Sequence, residues 1–263
     1  MGFGIETVAG FATAAGAGTN ALTYTGGQSG AVRDASEAAG ISLSDMWAKG
    51  AAADVFRIRS PRLHDLVSGI GFPLSVANSP LDWLSDIPDQ PVVPNDTLIA
   101  EIIAAAAGTD VGAFTLVYSD LGGIAANTAT AEELKGRIKN LVTVHVTVAG
   151  AATLGNWSNG TAINATEDKL HADSLYAIFG IIPTNAVAAL AIAGADTGNL
   201  RIGHPGSSSA LETRDYFWRL SVQTGEPVVP LIKANNKGST LIYQVDNAAG
   251  ANNDCYVSMA ELI

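Results

Sequence analysis

The chain has 263 residues, of which 48% are hydrophobic and only 15% charged. Its 14 basic and 25 acidic residues leave a net charge of −11, which opposes binding to nucleic acid or anionic lipid, because both need a positive patch that displaces counterions. The single Cys255 excludes an intrachain disulfide and a cysteine-based zinc site.

So few charges among 28 glycines suit short buried strands joined by turns better than long, charge-faced helices. The opening "MGFGIETVAGFATAAGAG" has no basic start and carries Glu6 inside it, so it does not read as a secretory leader. Glu6 also stands where a myristoylation pattern needs Ser or Thr.

Along the chain, "GGQSGA" (Gly26 to Ala31) starts like a nucleophile elbow but ends in Ala31 instead of Gly, and reads as a hairpin turn. Strands are expected at "VFRIR", "TLIAEII" and "AFTLVY" in the first half. "LVTVHVTV", "LYAIFGI", "DYFWRLSV", "TLIYQV" and "CYVSM" follow in the second. "LVTVHVTV" (Leu141 to Val148) alternates strictly, which sets Val142, Val144, Val146 and Val148 on one face and Thr143, His145 and Thr147 on the other. Before it, Thr130 followed by Glu133 in "TATAEELKGRIKN" is a capping-box signature for a short helix.

Ser174 to Ala195 carries no charge and is long enough to cross a bilayer. Pro183-Thr184-Asn185 divides it, however, into a strand and a short apolar helix or strand, so a buried core is the reading. "RIRSPR" (Arg57 to Arg62) is an isolated basic run.

Four blocks recur in order. "PVVP" stands at Pro91 and Pro227, "TVAG" at Thr7 and Thr147, "RI" with a following Pro at Arg57 and Arg201, and "TLI" at Thr97 and Thr240. Their offsets are 136, 140, 144 and 143, which points to an internal duplication. The resulting expectation is an all-β chain of two tandem jelly-roll β-barrels, at 1–122 and 141–263, joined by a linker at 123–140 that holds the short helix. On this alignment the second copy carries about 16 extra residues, "PTNAVAALAIAGADTG", and Gly122-Gly123 marks the boundary. A proline at each end limits PVVP to an edge strand or the start of a loop.

Two tandem barrels, a linking helix and an acidic surface together resemble the double jelly-roll major capsid proteins of icosahedral viruses, the lineage of adenovirus and membrane-containing bacteriophages. In size the chain is similar to the smallest, corticovirus type. The resemblance rests on architecture and duplication rather than on a signature motif, so it carries over no site residue. It implies a non-enzymatic virion protein without cofactor that self-assembles as pseudo-hexagonal homotrimers. Its partners would be neighbouring capsomers, a penton protein and, in the members that carry one, an internal viral membrane, with no direct contact to nucleic acid, and assembly would take place in the host cytoplasm. A two-domain β-sandwich binding or adhesin module and a bicupin-like metalloenzyme stand as alternatives, while a single-copy capsid fold of the tailed-phage kind lacks the duplication.

No chemistry is concentrated in the sequence. His64, His145, His171 and His204 show no metal-ligand spacing. "DTG" (Asp196 to Gly198) matches an aspartic-protease tripeptide, but Asp54, at the corresponding place, lacks the Thr-Gly, so a turn is the better reading. "GHPGSSS" (Gly203 to Ser209) has no phosphate-loop lysine and reads as a loop. Asp246 and Asp254 are carboxylates that could hold Ca²⁺ between loops. Consecutive Tyr216, Phe217 and Trp218 would alternate faces on a strand, which leaves no aromatic platform.

Overall fold

The computed structural model describes residues 3–33, 40–63, 66–74, 81–82, 90–119, 126–246, 248 and 250–263. His64 and the Gly122-Gly123 boundary lie outside them. The protein is all-β, 50% strand and 10% helix, with several antiparallel sheets.

The strands between residues 4 and 118 are β1 (Gly4–Ala14), β2 (Gly18–Ala21), β3 (Thr23–Tyr24), β4 (Ile41–Lys49), β5 (Val55–Arg59), β6 (Ile70–Pro73), β7 (Leu81–Asp82), β8 (Gln90–Val92), β9 (Ile99–Ala104) and β10 (Gly108–Tyr118). Then come β11 (Thr128–Ala129), α1 (Ala131–Leu134), β12 (Ile138–Val148), β13 (Thr161–Ala162), β14 (Leu175–Pro183), β15 (Val187–Ala193) and β16 (Ile202–Gly206). The helices α2 (Ala210–Thr213) and α3 (Tyr216–Thr224) precede β17 (Val229–Lys233), β18 (Leu241–Val245) and β19 (Asn253–Leu262).

The two halves share one plan. In the first, β1-β10-β4 run side by side with β8 against β4, and a second sheet runs β2-β9-β5-β6. In the second, the orders are β12-β19-β14-β17 and β13-β18-β15-β16, so each of these eight strands has a counterpart at the same place, while β3, β7 and β11 are additions to one half or the other. Even an irregularity recurs. Thr115 and Leu116 face Asp45 and Leu43, which leaves Ser44 of β4 as a bulge, and Met259 and Ser258 face Ile178 and Gly180, which leaves Phe179 of β14.

Topology carries this duplication better than the sequence blocks do. TLI leads into the counterpart strands β9 and β18, but FRIRSP lies in β5 and LRIGHP in β16, whose counterpart is β6. Aligning those two unlike strands created the apparent 16-residue insertion. Its core is β15, the counterpart of β5, reached from β14 through the bend at Thr184 and Asn185.

The capping box at α1 is present: Glu133 N donates to Thr130 Oγ1 at 3.1 Å and Thr130 N to Glu133 Oε2 at 2.8 Å. The helix does not stand free between the halves, since Leu134 is buried in the second-half core and Ala131 N bonds Ser221 Oγ of α3 at 2.8 Å. β12 follows its alternation, with Val144, Val146 and Val148 buried and Thr143 exposed. "DYFWRLSV" is a correction: it forms α3. Its buried Tyr216, Phe217, Leu220 and Ser221 share a helical face, Asp215 pairs with Arg219 at i,i+4, and Gly225 ends the helix in the left-handed region. Trp218 packs on Phe179 at the bulge. A Cβ at the adjacent Gly180 would sit 1.8 Å from Thr213 O, so the approach of α2 requires glycine there.

Each half has its own core, around Phe56, Phe114 and Ile102 in the first and Tyr176, Ile178 and Val257 in the second. Among the described residues no helix is long and apolar enough to cross a membrane, and Ser174 to Ala195 is largely β14 and β15.

Candidate functional site

An apolar surface with polar contacts around it joins the halves. Ala9, Trp47, Val111 and Ala113, on the outward face of β1, β4 and β10, pack on Ala188, Ala189, Ala191 and Val245 of β15 and β18. The small side chains of β15 let the two sheets approach closely, and the fully buried Trp47 ring occupies the contact.

Polar groups fix the register of this contact. Trp47 Nε1 donates to Ala188 O at 3.0 Å, and Lys49 Nζ reaches both Ala186 O at 2.9 Å and Asp246 Oδ1 at 2.8 Å. Thr7 N donates to Arg201 O at 2.6 Å while Gly203 N donates to Thr7 Oγ1 at 2.8 Å. Tyr216 Oη donates to Asp45 Oδ2 across the same seam. Beside it His204 is fully buried, accepting from Ile181 N at 3.1 Å on Nε2 with Nδ1 2.7 Å from Pro205 O. Burial lowers its pKa to about 4, so both ring nitrogens are used by a neutral imidazole.

The outward surfaces are handled differently. Glu101 of β9 lies between Arg57 and Arg59 of β5, bonding Arg57 Nε at 2.7 Å and Arg59 Nε at 2.9 Å. Burial opposes ionisation of Glu101, but the hydrogen bonds from Arg59 and Arg57 outweigh it and its pKa is lowered. Glu101 thereby offsets one of the three positive charges of RIRSPR on its own sheet. At the far end of the molecule β12 is an edge strand, and its outward amides at His145, Thr147 and Ala149 are capped by Glu167, Thr166 and Thr161. Such side-chain capping blunts an edge that would otherwise template pairing. The preceding stretch from Ile138 to Thr143 exposes Ile138 and, three-quarters open, Leu141.

The residues singled out in the sequence do not converge. Asp196 of DTG braces a 3-10 turn, accepting from Asn127 Nδ2, Lys233 N and Asn236 Nδ2 at 3.1, 3.0 and 2.8 Å. Asp246 faces Lys49, whereas Asp254 faces His145 at 3.1 Å and Thr147 at 2.7 Å, so the two Ca²⁺ candidates are engaged separately. His171 lies 3.6 Å from Glu261. Among the described residues no three His, Cys, Asp or Glu side chains cluster as metal ligands. GGQSGA does turn the chain at Gly26-Gly27, but no hairpin follows, because β3 pairs with β1 and Ala31 bridges Thr97. Gly203 to Gly206, read as loop, belongs to the edge strand β16, where Pro205 is tolerated.

One pair escaped the sequence. Asp54 and Asp110, both buried, share a side-chain hydrogen bond while Asp54 Oδ1 accepts from Ala105 N at 2.7 Å and Asp110 Oδ1 from Ala51 N at 3.1 Å. Burial first, then the Asp54 contact, raises the Asp110 pKa to about 6. The pair ties the β4–β5 turn to the β9–β10 turn. The two residues are far apart in the chain, and no motif announces them.

No family model matches the chain, and no curated protein matches it in sequence. Solved structures with some likeness include the PBSX exported protein XepA, with 9% identity over 92% of this chain and 86% of that one and a TM-score of 0.23. The triple jelly-roll turret protein of an archaeal virus shares 11% over 98% of this chain and 59% of that one, with a TM-score of 0.22. A Pseudomonas aeruginosa PAO1 protein of unknown function, PA5104, shares 11% over 97% and 98%, with a TM-score of 0.18.

Proposed function

We propose that the chain is a double jelly-roll structural protein that assembles into a viral shell, in the role of a major capsid protein. The jelly-roll reading is supported by the strand orders, since eight strands in each half form two four-stranded layers with the same non-sequential pairing. No catalytic step and no cofactor are part of the proposal.

The observation that carries it is the way one half sits on the other. The β1-β10-β4 face of the first half covers the β15-β18 face of the second, a head-to-tail contact between unlike faces of like modules. Such a contact leaves one outward face at each end that the other half does not cover: the Arg57, Arg59 and Glu101 face of the first half and the His145, Asp254 and Tyr256 face of the second. Heterologous contacts propagate into rings or filaments, and three two-module chains closing in this way give six modules around a ring. Homotrimers of pseudo-hexagonal outline, neighbouring capsomers and a penton are the partners this implies, with the virion as the location. The acidic balance of the chain fits a shell whose inner surface meets a membrane or another protein rather than the genome.

Negative-stain microscopy of the purified protein, concentrated at neutral pH, tests the reading. Hexagonal capsomers or closed shells are expected; isolated monomers at every concentration would overturn it.

A further inference from the structure

A polar cavity of about 220 Å³ opens between the halves, lined by Glu6, Gly26, Gly27, Gln28 and Arg33 on one side and by Asn199, Arg201 and Tyr243 on the other. Its charges are unequal. Arg33 and Glu6 form a bidentate pair at 2.6 and 2.8 Å, whereas no carboxylate among the described residues lies within ion-pair distance of Arg201. The side chain of Arg201 makes one hydrogen bond in the described protein, from Nη1 to Gly26 O at 3.3 Å, and its Nε is buried without an acceptor.

The guanidinium is nevertheless held in place. Its carbon lies 5.0 Å from the Tyr243 ring centroid and 5.7 Å from that of Trp157. Trp157 is itself anchored by Nε1 to Gln28 Oε1 at 2.8 Å. Gly26, at φ +65°, approaches so near that a Cβ there would sit 3.0 Å from Nη2. A rigid cation without a counter-ion, at the wall of a polar cavity, is a preformed anion receptor.

We propose that this cavity binds a small carboxylate, with the Arg201 guanidinium as its main partner. A monoanion is favoured over a dianionic phosphate because the Arg33–Glu6 pair cancels, leaving one net positive charge, and because the Glu6 carboxylate on the same wall repels excess negative charge. The volume admits a carboxylate on a short carbon frame and excludes a drug-sized ligand, whose sites start at roughly 300 Å³. Since groups from both halves line the cavity, occupancy tightens the contact between them. The proposal stands apart from shell assembly and does not depend on it.

Titration of the full-length protein with ¹³C-acetate at pH 7 and constant ionic strength, followed by NMR linewidth, is the test. Saturable binding in the roughly millimolar range is expected for so small a ligand, with inorganic phosphate weaker than acetate. Arg201→Gln is expected to weaken acetate at least tenfold; Arg201→Lys, which keeps the charge and loses the planar fork, is expected to weaken it less and serves if the first variant does not fold. Absence of saturable binding by the natural protein would overturn the proposal. So would a folded Arg201→Gln variant that binds acetate unchanged, or phosphate that binds more tightly than acetate.

Discussion

β5 and β15 occupy the same place in their sheets, yet they are opposite in character. β5, "VFRIR", alternates, with Phe56 and Ile58 buried and Arg57 and Arg59 turned outward to Glu101. β15, "VAALAIA", is buried at every position, because its second face lies under Trp47 and Ala113 of the first half. The same position in a repeated plan therefore takes its sequence from what covers it. An uninterrupted apolar strand is the signature of a strand covered on both faces, and here the second cover is the other copy.

The strongest way to break this comparison is to remove the cover. Trp47→Ala deletes the fully buried indole of the contact together with its bond to Ala188 O, and is expected to cost about 3–5 kcal/mol in chemical denaturation. The same substitution of an aromatic in neither core nor seam, such as the partly exposed Tyr256, should cost far less. Overfilling the seam with Ala191→Leu is expected to cost about 1–3 kcal/mol. At the matching outward face, replacing Arg59 by Leu removes one of the two guanidinium partners of the buried Glu101 carboxylate and is expected to cost about 1–3 kcal/mol, held to that range because Arg57 still pairs with Glu101.

Acidity sharpens the contrast between seam and surface. His204 has a folded pKa of about 4, below the 6.5 of an ordinary histidine, so the folded state binds fewer protons. Its contribution is present above pH 6.5 and is lost as pH falls towards 4. Glu261, held to about 2 first by the Lys139 and then by the Asn140 hydrogen bond, contributes above the normal carboxylate range and loses that contribution as pH falls through about 2. Asp110 has the opposite sign. Its folded pKa of about 6 lies above 3.8, so its stabilising share is complete below 3.8 and gone once pH rises through 6. Asp110→Asn is accordingly expected to raise the melting temperature at pH 8 relative to the natural protein and to narrow or reverse that advantage at pH 4, as thermal denaturation at the two pH values would show.

Sequence patterns reveal faces better than they reveal neighbours. The valines of β12 and the Thr130–Glu133 capping box were legible because each depends on residues a few positions apart. α3 was not, since aromatic and β-branched residues favour a strand reading of "DYFWRLSV", while the helical period and the Gly225 stop decide the outcome once Phe217 and Leu220 find the second-half core. The recurring blocks pointed towards the repeated strand order, but the FRIRSP match aligned unlike strands, because a short apolar–basic alternation fits any half-buried strand. Asp54–Asp110, the Arg201 cavity and the Trp47 seam were invisible, as each joins residues that only the tertiary fold brings together.

Sedimentation velocity across a concentration series at pH 7 tests most directly the claim that this head-to-tail seam is continued between chains. A discrete species of about three times the 26.9 kDa chain mass is expected, weakened by Tyr256→Asp at one uncovered face or by Arg59→Leu at the other. A single 26.9 kDa species at every concentration, or a trimer indifferent to both faces, would contradict it.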